Sequence, residues 1–190
     1  MTRALYAAGW GYVALCGVVL ANTRTAHPAR AHPGAAPYRG EAAAWFAAMK
    51  PFCNAVEVEV RQQAQPAPRG VEGAGYAAAC FALAGKIERA RGVIDRLPAG
   101  DRSAAAGIVF SVGHPAADAG DDESAGPIMR LVVEYQPRNY MALYHAGISE
   151  SILGHTDLAR THLERFLAIY QPEDGWRANA RAVLERLAAE

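Results

Sequence analysis

The residues able to do chemistry are few and mostly unaccompanied. Four histidines occupy the second half of the chain, His114, His145, His155 and His162, and an acidic stretch of Asp118, Asp121, Asp122 and Glu123 follows the first of them. Imidazoles and carboxylates together can hold a metal ion or relay a proton. The acidic stretch lacks the spacing of a calcium-binding loop, which sets acids at alternate positions before a glycine and closes with a glutamate. It reads as a solvated turn that brings acids to the positive N-terminus of the next helix. His155 and His162 stand two helical turns apart, too far for the four-residue chelate of helical metal sites. His27 and His32, each before a proline, are fewer ligands than a structural metal site uses. There is no glycine-rich phosphate loop, no serine in a nucleophile elbow, and no local signature for a Cys–His nucleophile. The expectation is a chain with no catalytic residue, no metal and no cofactor.

Three cysteines occur, Cys16, Cys53 and Cys80. Helices expected over about 51–64 and 71–84 flank the break QPAPRG. A hairpin folded at that break sets Cys53 opposite Cys80, at one level of adjacent helices. Such a pair falls in the Cα separation that a disulfide requires. Cys53 and Cys80 are therefore a disulfide candidate, the alternative being two small buried thiols.

The elements that must position these residues are helices. From Glu41 onward, helical patterns alternate with short Gly/Pro breaks. VEVEV at 56–60 alternates like a strand, but its neighbours favour helix, and helix is expected there. A repeat is visible. Gly85-KIER-Ala90, Gly120-DDES-Ala125 and Gly154-HTDL-Ala159 share a glycine, four residues and an alanine, at a stride of 34 or 35 residues. Ile94, Met129 and Leu163 follow each alanine by four; Leu97, Val132 and Phe166 follow by seven. Ala78, Gly113 and Gly147 precede it by twelve, and Pro98, Pro137 and Pro172 end each second helix. The small residue at the earlier position lets two helices approach. The glycine permits a tight turn. The alanine sits at the crossing, the apolar pair extends one buried stripe, and the proline stops the helix.

This pattern resembles the tetratricopeptide repeat, a 34-residue helix–turn–helix unit, over residues 71–172. Gly147, Gly154, Ala159 and Phe166 match best. Glu150 stands where an aromatic is usual, a place Phe81 fills in the first unit. Gly113-His114-Pro115 is expected to cut into the first helix of the middle unit. A degenerate earlier unit is indicated by Ala43, Phe46 and Ala55. After Pro172, the stripe Trp176, Ala180, Val183, Leu184 and Leu187 reads as a capping helix over 173–188, which solenoids need at an exposed end. The expected fold is all-α: antiparallel helix-hairpin repeats forming a short tetratricopeptide-like solenoid over 41–190, after an N-terminal apolar helix and a flexible linker.

The balanced total, 19 basic and 19 acidic residues, hides an asymmetry. Residues 1–40 hold four arginines and no acid, leaving 15 basic and 19 acidic residues beyond them. Residues 4–21 carry no charge after Met1-Thr2-Arg3, and end in Val19-Leu20-Ala21. That is the form of a signal peptide or a membrane anchor, over 1–21. Residues 22–40, with three prolines and no periodicity, read as a flexible Pro/Ala/Arg linker. The domain is then exported, periplasmic, or anchored to the inner membrane outside the cytoplasm, with a possible tether through residues 4–21. Cys16 follows Leu15 within the apolar run, which is not the pattern of a lipidated cysteine.

A composition of 52% hydrophobic and 20% charged residues excludes a wholly disordered chain and a multi-span membrane protein. Equal charges argue against nucleic acid as partner. Of the basic residues only Lys50 and Lys86 are lysines, and an arginine-rich, alanine-rich composition suggests coding bias before function. The expected function is a non-catalytic interaction module that binds another protein or a peptide. The first helices of the repeats would line the inner face, with Tyr76, Phe110, Tyr144, His145 and Ile148 towards the groove. Few basic residues fall on those helices, which argues against a clamp for acidic C-termini. The competing expectation is a small exported metal-dependent hydrolase using the acidic turn 118–123 and His114. A purely structural accessory subunit is a third.

Overall fold

The computed structural model describes residues 40–189. The expected signal peptide or anchor at 1–21, and the expected linker apart from Gly40, lie outside the described residues. Helices follow one another as α1 (Glu41–Met49), a 3-10 turn (Lys50–Phe52), α2 (Val58–Ala64), α3 (Val71–Leu83), α4 (Ile87–Asp95), α5 (Ala99–Asp118), α6 (Asp122–Tyr135), α7 (Tyr140–Ile152), α8 (Thr156–Ile169) and α9 (Gly175–Ala188). The described residues are all-α and contain no strand. None of these helices is long and apolar enough to cross a membrane.

The three glycine turns have one geometry. Gly85, Gly120 and Gly154 have φ of +72°, +79° and +77°, a region that side chains resist. Each glycine N–H donates to the carbonyl three residues back, at Ala82, Ala117 and Ser151. Each following N–H, from Lys86, Asp121 and His155, reaches the carbonyl five back, at Phe81, Ala116 and Glu150. That paired closure satisfies the last carbonyls of α3, α5 and α7 and reverses the chain. Ala90, Ala125 and Ala159 are buried on α4, α6 and α8, together with Ile94, Met129, Leu163, Val132 and Phe166. The shared sequence pattern thus marks shared turns and a shared buried stripe.

Glycines set how closely the helices cross. A Cβ on Gly75 would lie 2.6 Å from Ile108 Cδ1, bringing α3 onto α5. On Gly113 it would lie 2.7 Å from Ile128 Cγ2, between α5 and α6. On Gly147 it would lie 2.6 Å from Leu163 Cγ, between α7 and α8. Gly126 on α6 faces Ser149 on α7, where a Cβ would come within 1.9 Å of Oγ. The joints between hairpins are not alike. Against the preceding hairpin, the long helix α5 packs on α3 far more than on α4, whereas α7 packs on α6 far more than on α5. Helix α9 lies against α8 and α7. It starts where the Asp174 side chain accepts from the Trp176 and Arg177 N–H groups, satisfying two N-terminal donors.

Two local expectations are corrected. Gly113-His114-Pro115 does not cut the middle unit, since α5 runs unbroken to Asp118 with Pro115 inside it. Pro115 is one turn from the helix end, and both it and Ser111, whose carbonyl loses its donor, are exposed, so solvent can satisfy that carbonyl. The helix expected from 51 to 64 begins at Val58. Pro51 lies in the 3-10 turn, and Asn54 Oδ1 then accepts from the Val56 and Glu57 N–H groups, holding a turn before α2. Val56 and Glu57 of VEVEV lie in that turn and Val58 to Val60 are helical. The cysteines nonetheless meet: Cys53, just after the 3-10 turn, is disulfide-bonded to buried Cys80 of α3, with Cα atoms 4.9 Å apart.

Candidate functional site

Helix α5 carries His114 and Asp118 four residues apart, hence on one face. His114 Nδ1 lies 3.3 Å from Asp118 Oδ2. Helix α7 brings in His145, whose Nε2 lies 3.5 Å from Asp118 Oδ1. One ligand atom from each of the three residues falls within 4.8 Å of the others. His145 is only 4% exposed, and its Nε2 makes no hydrogen bond. Asp118 has a side chain 49% exposed, so the group opens to solvent on that side.

Aromatic rings surround the imidazoles. Phe110 packs on His114 with centroids 4.7 Å apart, and the His114 and His145 rings meet at 5.0 Å. Helix α9 closes the other flank: Trp176 lies 5.7 Å from the His145 ring and 4.7 Å from that of Tyr144. Asn179 Nδ2 donates to Tyr144 Oη at 2.6 Å. Burial, with His114 nearby, pushes the His145 imidazole down to about 4 against the opposing pull of Asp118, so it is neutral at pH 7. Burial also raises the Tyr144 hydroxyl, and burial followed by Asp121 raises the Asp122 carboxyl.

The acidic turn divides. Asp118 joins the imidazoles. Asp121 caps α6 by accepting from the Ser124 N–H, and neither it nor Asp122 or Glu123 belongs to the three-residue group. The five residues expected along one groove fall in different surroundings. Tyr76 is buried and stacked on Phe46 of α1 at 5.0 Å. Tyr144 and His145 are buried beside α9, and Phe110 and Ile148 are partly buried against the core. The sequence pairs His114 with the acidic turn, and Asp118 of that turn does lie beside it; no spacing in the chain ties His145 to them. The four-residue spacing of His114 and Asp118 was the available signal.

Glu150 forms a second group. It is 1% exposed, and it accepts from Arg130 of α6 and lies 2.5 Å from His155 Nδ1 at the third glycine turn. Where the repeat pattern expects an aromatic, a paired charge fills the space. Burying a carboxylate is tolerable only with such partners.

A cavity of about 480 Å³ lies elsewhere, between α2, the loop 65–70 and the α3–α4 hairpin. Phe81, Val93, Leu97, Ala74, Ala77, Pro66 and Pro68 supply its apolar walls; Arg69, Arg89, Arg96, Gln62, Gln63 and Glu59 its polar ones. Lys86 and Arg89 hold the Glu59 carboxyl below its ordinary range. None of the five residues expected along a groove of the first helices lines this cavity, which α2, the loop 65–70, α3 and α4 enclose. No family model matches this chain, and comparison with curated proteins and with solved structures finds no match either.

Proposed function

We propose that this chain is a non-catalytic binding module of the helical-repeat kind, similar to tetratricopeptide domains. It docks an extended segment of another protein, outside the cytoplasm. The observation that carries the reading is the 480 Å³ cavity beside the α3–α4 hairpin, whose apolar walls are interrupted by three arginines against one glutamate. Mixed walls of this kind suit a peptide with apolar and acidic side chains: apolar contacts supply affinity and the arginines orient carboxylates. Three identical glycine turns and the alanine crossings support the repeat architecture. Export and tethering rest on residues 1–21 alone.

Photocrosslinking tests the reading. A photoreactive amino acid at Gln63 or Val93, in the full chain expressed in its own cells, should trap a protein adduct that Phe81→Glu abolishes. The same probe at Glu185 on α9 serves as control. Adducts at Glu185 with none at Gln63 or Val93 would refute docking in this cavity.

A further inference from the structure

We propose that His114, Asp118 and His145 form a binding site for a divalent transition-metal ion of the zinc class. Two imidazoles and one carboxylate are a donor set that suits zinc, cobalt, nickel or iron, whereas magnesium and calcium select oxygen ligands. Tetrahedral bonds of about 2.0–2.1 Å put neighbouring ligand atoms about 3.3–3.4 Å apart. The observed separations are 3.3 Å for His114 Nδ1 to Asp118 Oδ2 and 3.5 Å for His145 Nε2 to Asp118 Oδ1. These two separations run to different oxygens of the carboxylate, and the three ligand atoms lie within 4.8 Å of one another, so an ion would draw the ligands together by up to about 1.5 Å.

The second observation is the His145 nitrogen itself. It is buried, makes no hydrogen bond, and faces the Asp118 carboxylate across a distance too long for one. A buried nitrogen left in that condition forfeits the hydrogen bond it would make in water, and a coordinated cation would restore a partner to it. The ligands come from two helices, so their positions are set by the α5 and α7 backbones and not by a loop. Half-exposed Asp118 leaves a path for the ion and room for a solvent molecule as further ligand, the arrangement of an open site. The group shares no residue with the α2–α4 cavity, so the proposal stands apart from the docking reading.

Calorimetric titration of the chelator-treated full chain with zinc chloride, repeated with cobalt chloride and read by visible absorption, tests the site. One ion per chain is expected, with cobalt bands of low-coordinate nitrogen and oxygen ligation. Asp118→Asn should weaken binding by at least about tenfold, the smallest loss typical even of an outer-shell partner. His145→Gln should abolish it, and His155→Ala should leave it unchanged. Asp118 is half exposed, so Asp118→Asn keeps the fold even where His145→Gln does not, and far-UV circular dichroism verifies this. No saturable binding, or binding that survives Asp118→Asn and disappears in the His27→Ala/His32→Ala variant, overturns the proposal.

Discussion

Gly126 is the position where a single methyl group should do the most informative damage. An alanine there places Cβ 1.9 Å from Ser149 Oγ and 2.7 Å from Ser149 Cβ. Turning the serine hydroxyl away relieves the first clash only, and it breaks the 2.7 Å hydrogen bond that Ser149 donates to the Asp122 carbonyl. Carbon atoms rest at about 3.5–4.0 Å, so α6 and α7 must separate by roughly 1 Å. The lost bond costs about 1 kcal/mol. Forcing an extra methyl into a packed crossing costs about 1–3 kcal/mol. Against this stands the preference of a helix for alanine over glycine, about 1 kcal/mol. The net expectation for Gly126→Ala is a loss of about 2 kcal/mol, read as a lower urea midpoint by far-UV circular dichroism at unchanged slope. Gly92→Ala on α4 is the internal control. Its Cβ would find its nearest neighbour 4.0 Å away, at Arg96 Nη1, so the same substitution should stabilise by about 0.5–1 kcal/mol. Adding Ser149→Gly to Gly126→Ala removes the obstruction from the other side and should recover about 1 kcal/mol despite a second helical glycine. A Gly126→Ala protein as stable as the parent would refute the close approach of α6 and α7.

Three further outcomes are expected. Arg130→Met leaves the buried Glu150 carboxylate with His155 as its remaining side-chain partner and should cost about 3 kcal/mol, much of which Arg130→Met/Glu150→Leu should restore; equal stability of the single variant and the parent in urea would show that the pair is immaterial. Burial holds the His162 imidazole below its ordinary value, so the unfolded chain takes up this proton first. The stability it protects is complete above about pH 6.5 and is lost as the pH falls below that; His162→Leu should therefore lose less in melting temperature than the parent between neutral and acidic pH, and identical losses would sink the assignment. The Cys53–Cys80 bond spans 27 residues, and reducing it should lower stability by about 3 kcal/mol, checked by urea unfolding with and without reductant.

The local grammar of this protein is written in its sequence. A glycine with positive φ, followed five residues later by a buried alanine, is a short-range device, and the turns at Gly85, Gly120 and Gly154 need only their own neighbours to form. Helical class, a helix after Asp174 and the facing of Cys53 and Cys80 were legible for the same reason, since each depends on residues close in the chain or on one hairpin. Even there Pro51 and Asn54 deferred the start of α2, because turn hydrogen bonds at Asn54 outcompeted a helical pattern.

What tertiary structure decided was which helix faces which. Nothing in the stride says that α5 packs on α3 while α7 packs on α6, or that the slighter α7–α5 contact sets His145 against a His–Asp pair 27 residues or more away in the chain. It likewise buries Glu150 beneath Arg130, where the repeat pattern leads one to expect an aromatic ring. Helix periodicity reports the width of an apolar face, but the partner of that face is selected by long-range packing, to which glycines such as Gly126 contribute only when a second helix arrives.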